Sequence, residues 1–321
     1  MELGGMHHVT AVSGDAPRNL DFYTRVLGLR LVKKTVNQDV ISTYHLFYAD
    51  SVGTPGTDMT FFEWPDVGGH IAGVGDVSAV AFIVPGRQAL DWWVERFDEY
   101  GVAHGAIEQR GHRDVLPFTD PEGQRLELVT GQKDGTRPWT GGSVPEEFAI
   151  RGLGPPTLVV ESFQPTASVL TDLLGFEQSG EYRFPDNPSR RALIFSTGKG
   201  GPDAEVHVEE RPDMPPSRVG IGGVHHIAFR TPNADEHAAW QQRLARAGMA
   251  VTPVIDRYYF KSIYFREPGG VLFEIATDGP GFAADEDVQH LGERLSLPPF
   301  LEGHRREIEQ HLRPLETPVH G

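Results

Sequence analysis

The sequence is internally duplicated, and this feature restricts the possible folds more than any other. Compared with itself at an offset of 147 residues, the chain matches in register at three separated places. The matched segments are residues 22–29 with 169–176, residues 75–82 with 222–229, and residues 118–130 with 265–277. A constant offset across three segments indicates a repeated structural unit rather than a chance similarity.

Each half of the chain divides again into two smaller units. The first unit starts with a strand-like run at Met6–Val12, followed by a helix that Asp15 caps and that ends at Gly28. The second unit repeats this order, with a strand at residues 77–84 and a helix that ends at Gly101. The pattern predicts an α+β fold of four βαβββ modules, roughly at residues 6–66, 74–131, 152–212 and 221–278.

The length of 321 residues favours two domains, each of which can bury its own core. We expect two tandem domains of two modules each, at residues 1–135 and 151–279. Residues 136–150 form the linker between them, next to a stretch rich in glycine, proline and charge. Residues 280–321 are expected to form a C-terminal tail with a short helix at 302–312.

The composition excludes several classes of function. The formal charge of −16 would repel a phosphate backbone, so nucleic acid is not expected as a partner. No window approaches the roughly 20 apolar residues that cross a membrane, and the first residues lack a secretory pattern, which predicts a cytoplasmic protein. The chain has no cysteine, so it cannot form disulfides or a thiolate metal site.

Differences between the two halves indicate where a single site would lie. A duplicated fold keeps its core residues in both copies, whereas one site needs to persist only once. At the offset of 147 residues, His226 corresponds to Ala79 and His8 corresponds to Pro155. Glu274 is retained as a glutamate in the other half. The chain therefore holds one complete set of two histidines and a glutamate, and one incomplete set.

Strand alternation places these three side chains on one kind of face. Around His226, the neighbours Ile227 and Phe229 are apolar and are expected to pack against a helix, so His226 faces the other way. The same alternation turns His8 and Glu274 away from the packed face. Two imidazoles and one carboxylate suit Fe(II) with open positions for further ligands; Mn(II) would also fit, and Zn(II) stays open.

Seven other histidines lack a comparable setting. We interpret them as structural or solvent-exposed residues, a group that comprises His45, His70, His104, His112, His207, His237 and His290.

The motifs resemble those of the vicinal oxygen chelate superfamily, which includes glyoxalase I, bleomycin resistance proteins and extradiol dioxygenases. The resemblance is carried by the four modules, by the openings GMHHVT (residues 5–10) and GGVHHIAF (222–229), and by the turn PGGVLFE (268–274). It covers nearly the whole chain and is strongest to the two-domain, hydroquinone-type ring-cleaving dioxygenases. It implies a non-haem Fe(II)-dependent, extradiol-type enzyme whose partners are dioxygen and a hydroquinone or catechol-like aromatic diol.

The resemblance also implies roles for individual residues. The metal ligands of the family match His8, His226 and Glu274, in agreement with the strand alternation. The residues around the metal that act in catalysis match His7, Thr10, His225, Arg257 and Tyr264. In this interpretation His225 or Tyr264 moves protons during the reaction. Arg257 holds an anionic oxygen of the substrate, and His7 and Thr10 help to orient the substrate. Candidates for an aromatic lining are Phe61, Trp64, Tyr258 and Phe260.

Two other functions stay open at this point. A glyoxalase-type isomerase or lyase, or a thiol transferase, would recruit a further carboxylate from the first module, for which Glu63 is the nearby candidate. A non-enzymatic protein that binds a drug or another aromatic ligand would not need the set of two histidines and a glutamate. The sequence also leaves open whether the protein forms a homo-oligomer.

Overall fold

The computed structural model describes residues 1–317 and confirms the four βαβββ modules. The first module consists of β1 (Met6–Ser13), α1 (Ala16–Asp21), β2 (Arg30–Val36), β3 (Tyr44–Ala49) and β4 (Asp58–Glu63). The second consists of β5 (Asp76–Val84), α2 (Arg87–Tyr100), β6 (Glu108–Arg110), β7 (Arg113–Thr119) and β8 (Arg125–Thr130). A short strand, β9 (Gly152–Leu153), follows.

The second half repeats this order. The third module consists of β10 (Thr157–Val160), α3 (Phe163–Ser168), β11 (Glu177–Phe184), β12 (Asn187–Ser196) and β13 (Glu205–Glu210). The fourth consists of β14 (Val224–Thr231), α4 (Ala234–Arg246), β15 (Ile255–Asp256), β16 (Lys261–Arg266) and β17 (Leu272–Thr277). The predicted tail helix begins as a 3₁₀ turn at Glu302–His304 and continues as α5 (Arg305–His311). The last four positions of the predicted tail lie outside the described residues.

The two sheets do not follow the two halves of the sequence. One sheet has eight strands in the order β15-β16-β17-β14-β1-β4-β3-β2, which joins the fourth module to the first. The other has the order β11-β12-β13-β10-β5-β8-β7-β6, with β9 beside β5, and joins the third module to the second. We call them the first and the second sheet. Each sheet takes strands from both halves of the chain, so the sheets do not test the expected units along the sequence. Their boundaries therefore stay a prediction, at residues 1–135, 136–150, 151–279 and 280–321.

The duplication seen in the sequence is also present in the way the strands pair. In the first sheet Thr10 lies opposite His226, and in the second sheet Thr157 lies opposite Ala79. Both pairs join a strand of one half to a strand of the other, and the second pair is the first shifted by the repeat offset, since 147 residues separate Thr10 from Thr157 and Ala79 from His226. Residues at this offset therefore occupy equivalent places in the two sheets.

The first helix of each half has the same irregular end. Asp15 caps α1 by accepting a hydrogen bond from the backbone N–H of Arg18 at 3.3 Å, as the sequence predicts. A π-helical turn over Phe22–Val26 follows α1, and an equivalent turn over Val169–Leu173 follows α3. Gly28 has a φ of 70°, in the left-handed region that glycine adopts without strain.

The core lies on one face of each sheet, against the helices. Ile227 and Phe229 are fully buried members of the main hydrophobic core, as strand alternation predicts. Their neighbour Ala228 belongs to a separate, smaller cluster on the opposite face of β14. Within residues 1–317, no helix combines the length and the apolar character that crossing a membrane requires.

The tail is held on the first sheet by a buried lysine. Lys33 of β2 is fully buried and donates hydrogen bonds to the Phe282 carbonyl at 3.1 Å, to the Asp285 carboxylate at 2.7 Å and to Glu286. Its ammonium group also lies 4.7 Å from the ring centroid of Tyr259. The hydroxyl of Tyr259 donates to Asp285 at 2.9 Å, so the same cluster fixes the loop before β16.

Candidate metal centre

Three neighbouring strands bring the two histidines and the glutamate together. Strand β14 lies between β1 and β17, and in the shared register His8, Ala228 and Glu274 are level with one another. His226 lies two residues before Ala228, so its side chain is on the same face. The small side chain of Ala228 leaves space between the two flanking residues.

The three donor atoms form a compact triangle. The Nε2 atoms of His8 and His226 are 3.2 Å apart, and they lie 3.2 and 2.9 Å from Oε2 of Glu274. All three residues are buried, and among the described residues they form the one group of this kind whose spacing could hold a metal ion.

The triangle has the dimensions of a metal-binding set. Metal bonds to imidazole nitrogen and carboxylate oxygen are close to 2.1 Å, so two adjacent donors around an octahedral ion are roughly 3 Å apart. Both oxygens of Glu274 are buried and accept no hydrogen bond of acceptable geometry, although two imidazole nitrogens are near. Nitrogen lone pairs that point at a shared centre explain this arrangement, whereas N–H groups aimed at the carboxylate would have produced regular hydrogen bonds.

His7 fixes the proton on the ring of His8. The Nε2 of His7 lies 3.1 Å from the Thr277 carbonyl, which can only accept, so this nitrogen carries the hydrogen. The Nδ1 of His7 is then an acceptor and lies 2.9 Å from the Nδ1 of His8. His8 therefore carries its hydrogen on Nδ1 and presents an unprotonated Nε2 to the triangle.

His225 makes the equivalent contact on the other strand. Its Nδ1 lies 2.7 Å from the Nδ1 of His226, and its ring meets the edges of Phe62 and Trp64 at centroid distances of 5.5 and 5.6 Å. His7 and His225 therefore both lie behind a candidate ligand. Each contacts the Nδ1 atom of that ligand, which is the ring nitrogen that does not take part in the triangle.

Burial sets the charge of these groups. Removal from water lowers the pKa of His226, and it lowers the pKa of His7 and of His225 to about 3. Burial alone would raise the pKa of Glu274, but the adjoining His8 and His226 hold it well below its usual range. Neutral imidazoles and an ionised carboxylate are the protonation states that bind a metal cation.

A cavity adjoins the triangle on the open face of the first sheet. It contains about 450 Å³ of space outside the protein atoms, a figure that includes space open to solvent. Thr35 of the edge strand β2 and Tyr264 of β16 both line it, so the sheet curves around the cavity. Its lining comprises His8, Thr10, Thr35, Asn37, Gln38, Asp39, His45, Phe47, Phe62, His226, Arg257, Tyr259, Phe260 and Tyr264.

Arg257 and Tyr264 lie together on one side of this cavity. The guanidinium carbon of Arg257 is 5.6 Å from the ring centroid of Tyr264, and its Nη2 donates to Asp39 at 3.1 Å. The ring of Tyr264 lies 5.6 Å from that of His226. Burial, followed by the charge of Glu274, raises the pKa of Tyr264, so its hydroxyl stays protonated at neutral pH.

The structure places most of the predicted residues at the site and adds several others. His8, Thr10, His226, Arg257 and Tyr264 line the cavity, and Glu274 lies beside them. Sequence reasoning missed His45 as well as Phe47, Phe62 and Tyr259, which also face the cavity. The signal for His45 was available, because its counterpart at the repeat offset is Ala192.

Glu63 does not join the triangle. It lies on β4 one residue beyond Phe62, so its side chain is on the opposite face, and Oε1 accepts a 3.3 Å hydrogen bond from the backbone N–H of Ala16. Phe61 is on that face too and packs against Tyr23 in the core. Of the aromatic residues predicted to line the site, Phe260 does so, and Trp64 stacks on Phe62 at 5.3 Å.

Comparisons with known proteins agree with this architecture. The family model of the glyoxalase/bleomycin resistance protein/dioxygenase superfamily matches twice, at residues 5–128 and 152–275. A crystal structure of a protein from Bacillus subtilis subsp. subtilis str. 168, provisionally titled a dioxygenase, superposes with a TM-score of 0.91. It is 39% identical in sequence, and the match covers 99% of each chain.

Two curated relatives span nearly the full length of the chain. MhqA of Bacillus subtilis (strain 168), which bears a provisional name as a ring-cleaving dioxygenase, is 48% identical over 98% of this chain and 100% of its own. The chlorohydroquinone/hydroquinone 1,2-dioxygenase of Sphingobium indicum is 33% identical over 98% of this chain and 97% of its own. The resemblance seen in the sequence motifs is therefore confirmed, and the chain belongs to the glyoxalase/bleomycin resistance protein/dioxygenase superfamily.

Proposed function

We propose that this protein is a metal-dependent ring-cleaving dioxygenase that acts on a hydroquinone or catechol-like aromatic compound. The observation that carries the proposal is the buried triangle of His8, His226 and Glu274, whose donor atoms lie 2.9 to 3.2 Å apart beside a cavity with aromatic walls. The names of the relatives agree with this activity. A cytoplasmic location also stays a prediction.

The three residues of the triangle would hold one divalent metal ion, and we propose Fe(II). Two imidazoles and a carboxylate on one side of an ion are the ligand set of non-haem Fe(II) oxygenases, because the protein leaves the remaining positions free. When bound, such an ion supplies Lewis acidity toward a phenol and exchanges electrons with dioxygen. Mn(II) is compatible with the same donors.

The surrounding residues would bind the ring and manage its protons. The permanently charged Arg257 is suited to hold an anionic oxygen of the substrate by charge-assisted hydrogen bonds. The ring of Tyr264 lies near both Arg257 and His226, and its protonated hydroxyl would donate a hydrogen bond to the reacting oxygen atoms. His7 and His225 would orient the ligand rings through their Nδ1 contacts, while Thr10 lies at the cavity wall.

The test is an oxygen-consumption assay on the full chain. Protein loaded anaerobically with Fe(II), and separately with Mn(II), is mixed with air-saturated buffer and hydroquinone, methylhydroquinone or catechol. We expect oxygen uptake with at least one diol and the loss of its ring absorbance, since ring cleavage destroys the aromatic system. A protein that binds the metal at His226 but consumes no oxygen with any of these diols would contradict the proposal.

A further inference from the structure

We infer that His45 forms a distal subsite that hydrogen-bonds the second hydroxyl group of a para-diol. The metal centre would bind the near oxygen of the ring, and His45 would bind the oxygen at the opposite end. This inference deepens the proposed function and rests on it, because it names which arrangement of hydroxyl groups the cavity selects.

The imidazole of His45 is held rigidly at the cavity wall. It lies on β3 between the rings of Phe47 and Phe62, at centroid distances of 4.0 and 4.5 Å. Both flanking residues line the same cavity. Two aromatic contacts leave the ring little freedom to turn, so the direction of its nitrogen atoms is fixed before any ligand binds.

Within the described part of the chain, only one nitrogen of His45 has a hydrogen-bond partner. Its Nε2 lies 3.0 Å from the hydroxyl of Thr60, which lies 2.8 Å from the hydroxyl of Thr10. Its Nδ1 has no hydrogen-bond partner among residues 1–317 and is not among the atoms shielded from solvent. A half-buried imidazole at a cavity wall, with one nitrogen fixed and the other unpaired and not shielded from solvent, is equipped to bind a polar group there.

The chain of hydroxyls lets this nitrogen take either role. If Thr60 donates to Thr10, the Nε2 of His45 donates to Thr60 and its Nδ1 accepts. If the chain runs the other way, Nε2 accepts and Nδ1 donates. Burial, followed by the nearby His8, lowers the pKa of His45, so the ring is neutral in both arrangements. His45 can therefore accept from a phenol hydroxyl or donate to a carbonyl oxygen.

The position of His45 favours a para-diol over an ortho-diol. Strand β4 separates β3 from β1, which carries His8, so the two backbones are roughly 10 Å apart across the sheet. The oxygens of an ortho-diol are neighbours and would both lie at the metal end of the cavity. Only an oxygen on the far side of the ring would reach the wall formed by β3.

The duplication supports a role in the site rather than in folding. Thr10, Thr60 and His45 correspond to Thr157, His207 and Ala192 in the second sheet, so the chain of hydroxyls and imidazole exists once. His8 and His226 are single in the same way. A residue needed for the fold of each sheet would be expected in both copies.

The test measures binding rather than turnover. Wild type, His45→Leu and His45→Gln are loaded with Mn(II) without oxygen, and the dissociation constants of hydroquinone and phenol are measured by calorimetry. Phenol lacks the distal hydroxyl. We expect wild type to bind hydroquinone about tenfold more tightly than phenol, as one hydrogen bond to a buried partner provides. His207→Leu, in the second sheet, serves as the matched control and should leave that ratio unchanged.

The outcomes separate this inference from the proposed function. His45→Leu should reduce the ratio to about one through hydroquinone alone, and His45→Gln should restore part of it. An undiminished preference in His45→Leu would overturn the distal subsite, even if the wild type cleaves diols. If the ratio collapses as expected but the Fe(II)-loaded wild type consumes no oxygen, the subsite stands and the dioxygenase proposal fails. Wild type that binds both ligands equally also contradicts the subsite.

Discussion

Arg110 and Glu127 form an ion pair in the second sheet at the positions that correspond to Arg257 and Glu274 in the first. Their side chains are each only 10% exposed. In the first sheet the equivalent arginine pairs instead with Asp39, which leaves the carboxylate of Glu274 to the two imidazoles. One sheet neutralises its buried carboxylate with a guanidinium group, and under our proposal the other would do so with a metal ion.

This difference predicts one metal ion per chain. Glu274→Gln should lower the affinity for Fe(II) or Mn(II) by more than about 100-fold, because it removes a charged ligand rather than one of the groups behind the ligands. Glu127→Gln should leave metal content unchanged and should cost about 1–3 kcal/mol of stability, because Arg110 loses a buried partner. Elemental analysis after dialysis measures the metal, and chemical denaturation measures the stability.

Equal metal loss in the two variants would show that the second sheet also binds an ion. Two ions per wild-type chain would lead to the same conclusion.

His7 should control metal affinity without being a ligand. His7→Phe removes the acceptor for the Nδ1 hydrogen of His8, so the ligand ring loses its fixed tautomer and orientation. We expect the metal dissociation constant to rise about 10- to 100-fold, as is typical when such a partner is removed. Competition with a coloured chelator measures this change.

His237 provides the matched control for this variant. It is a buried histidine whose Nε2 donates to the Ile275 carbonyl at 2.9 Å, much as His7 donates to Thr277 on the same strand. It has no hydrogen bond to a residue of the triangle. His237→Phe should therefore leave metal affinity unchanged, and a loss as large as that of His7→Phe would mean that His7 acts only through general stability.

The duplication explains why much of the fold and the triangle could be predicted. The repeat offset marked His8 and His226, since a single site leaves its mark as a difference between two copies. Glu274 is retained in both halves, and strand alternation and the family resemblance added it to the set. Alternation along a strand is local, so it also predicted that Ile227 would be buried. The pairing of modules across the two halves is not local, and the repeat pattern fits either pairing.

His45 is a cavity residue that the sequence did not predict. Its counterpart is Ala192, so the same comparison of halves marks it, but no motif around it suggested a site. Its importance comes from the curvature of the sheet, which brings β3 and β16 to one cavity. Lys33 is a similar case, because a lysine within a strand predicts exposure. Its burial is made favourable chiefly by the carboxylates of the tail residues Asp285 and Glu286, about 250 positions away.

Stability should depend on pH through Asp120. Burial raises the pKa of Asp120 to about 6, against lowering by hydrogen bonds from the backbone of Gln124 and Glu122. A raised pKa in the folded state means that this group favours folding when protonated, and this contribution is lost as the pH rises from about 4 through about 6. The pKa shift corresponds to about 3 kcal/mol.

Asp120→Asn should remove this dependence while it keeps the acceptor for the two backbone N–H groups. Raising the pH from 4.5 to 7 should therefore destabilise the wild type by about 2–3 kcal/mol more than it destabilises the variant. Urea unfolding at both pH values measures it. The same stability difference between the two proteins at both pH values would mean that Asp120 titrates normally in the fold.

Lys33 should be a major contributor to the stability of the first sheet. Lys33→Met fills the same space but leaves Asp285 and the buried Glu286 without their cation, and breaking a buried pair in this way costs about 3–5 kcal/mol. Urea denaturation measures the change. The control is Arg87→Met, which removes an exposed pair with Asp91 and should cost less than about 1 kcal/mol. Because Tyr259 lies over the lysine, the variant should also loosen the loop that carries Arg257, so hydroquinone binding should weaken together with stability. Equal stability losses in the two variants would show that the tail does not depend on this buried charge.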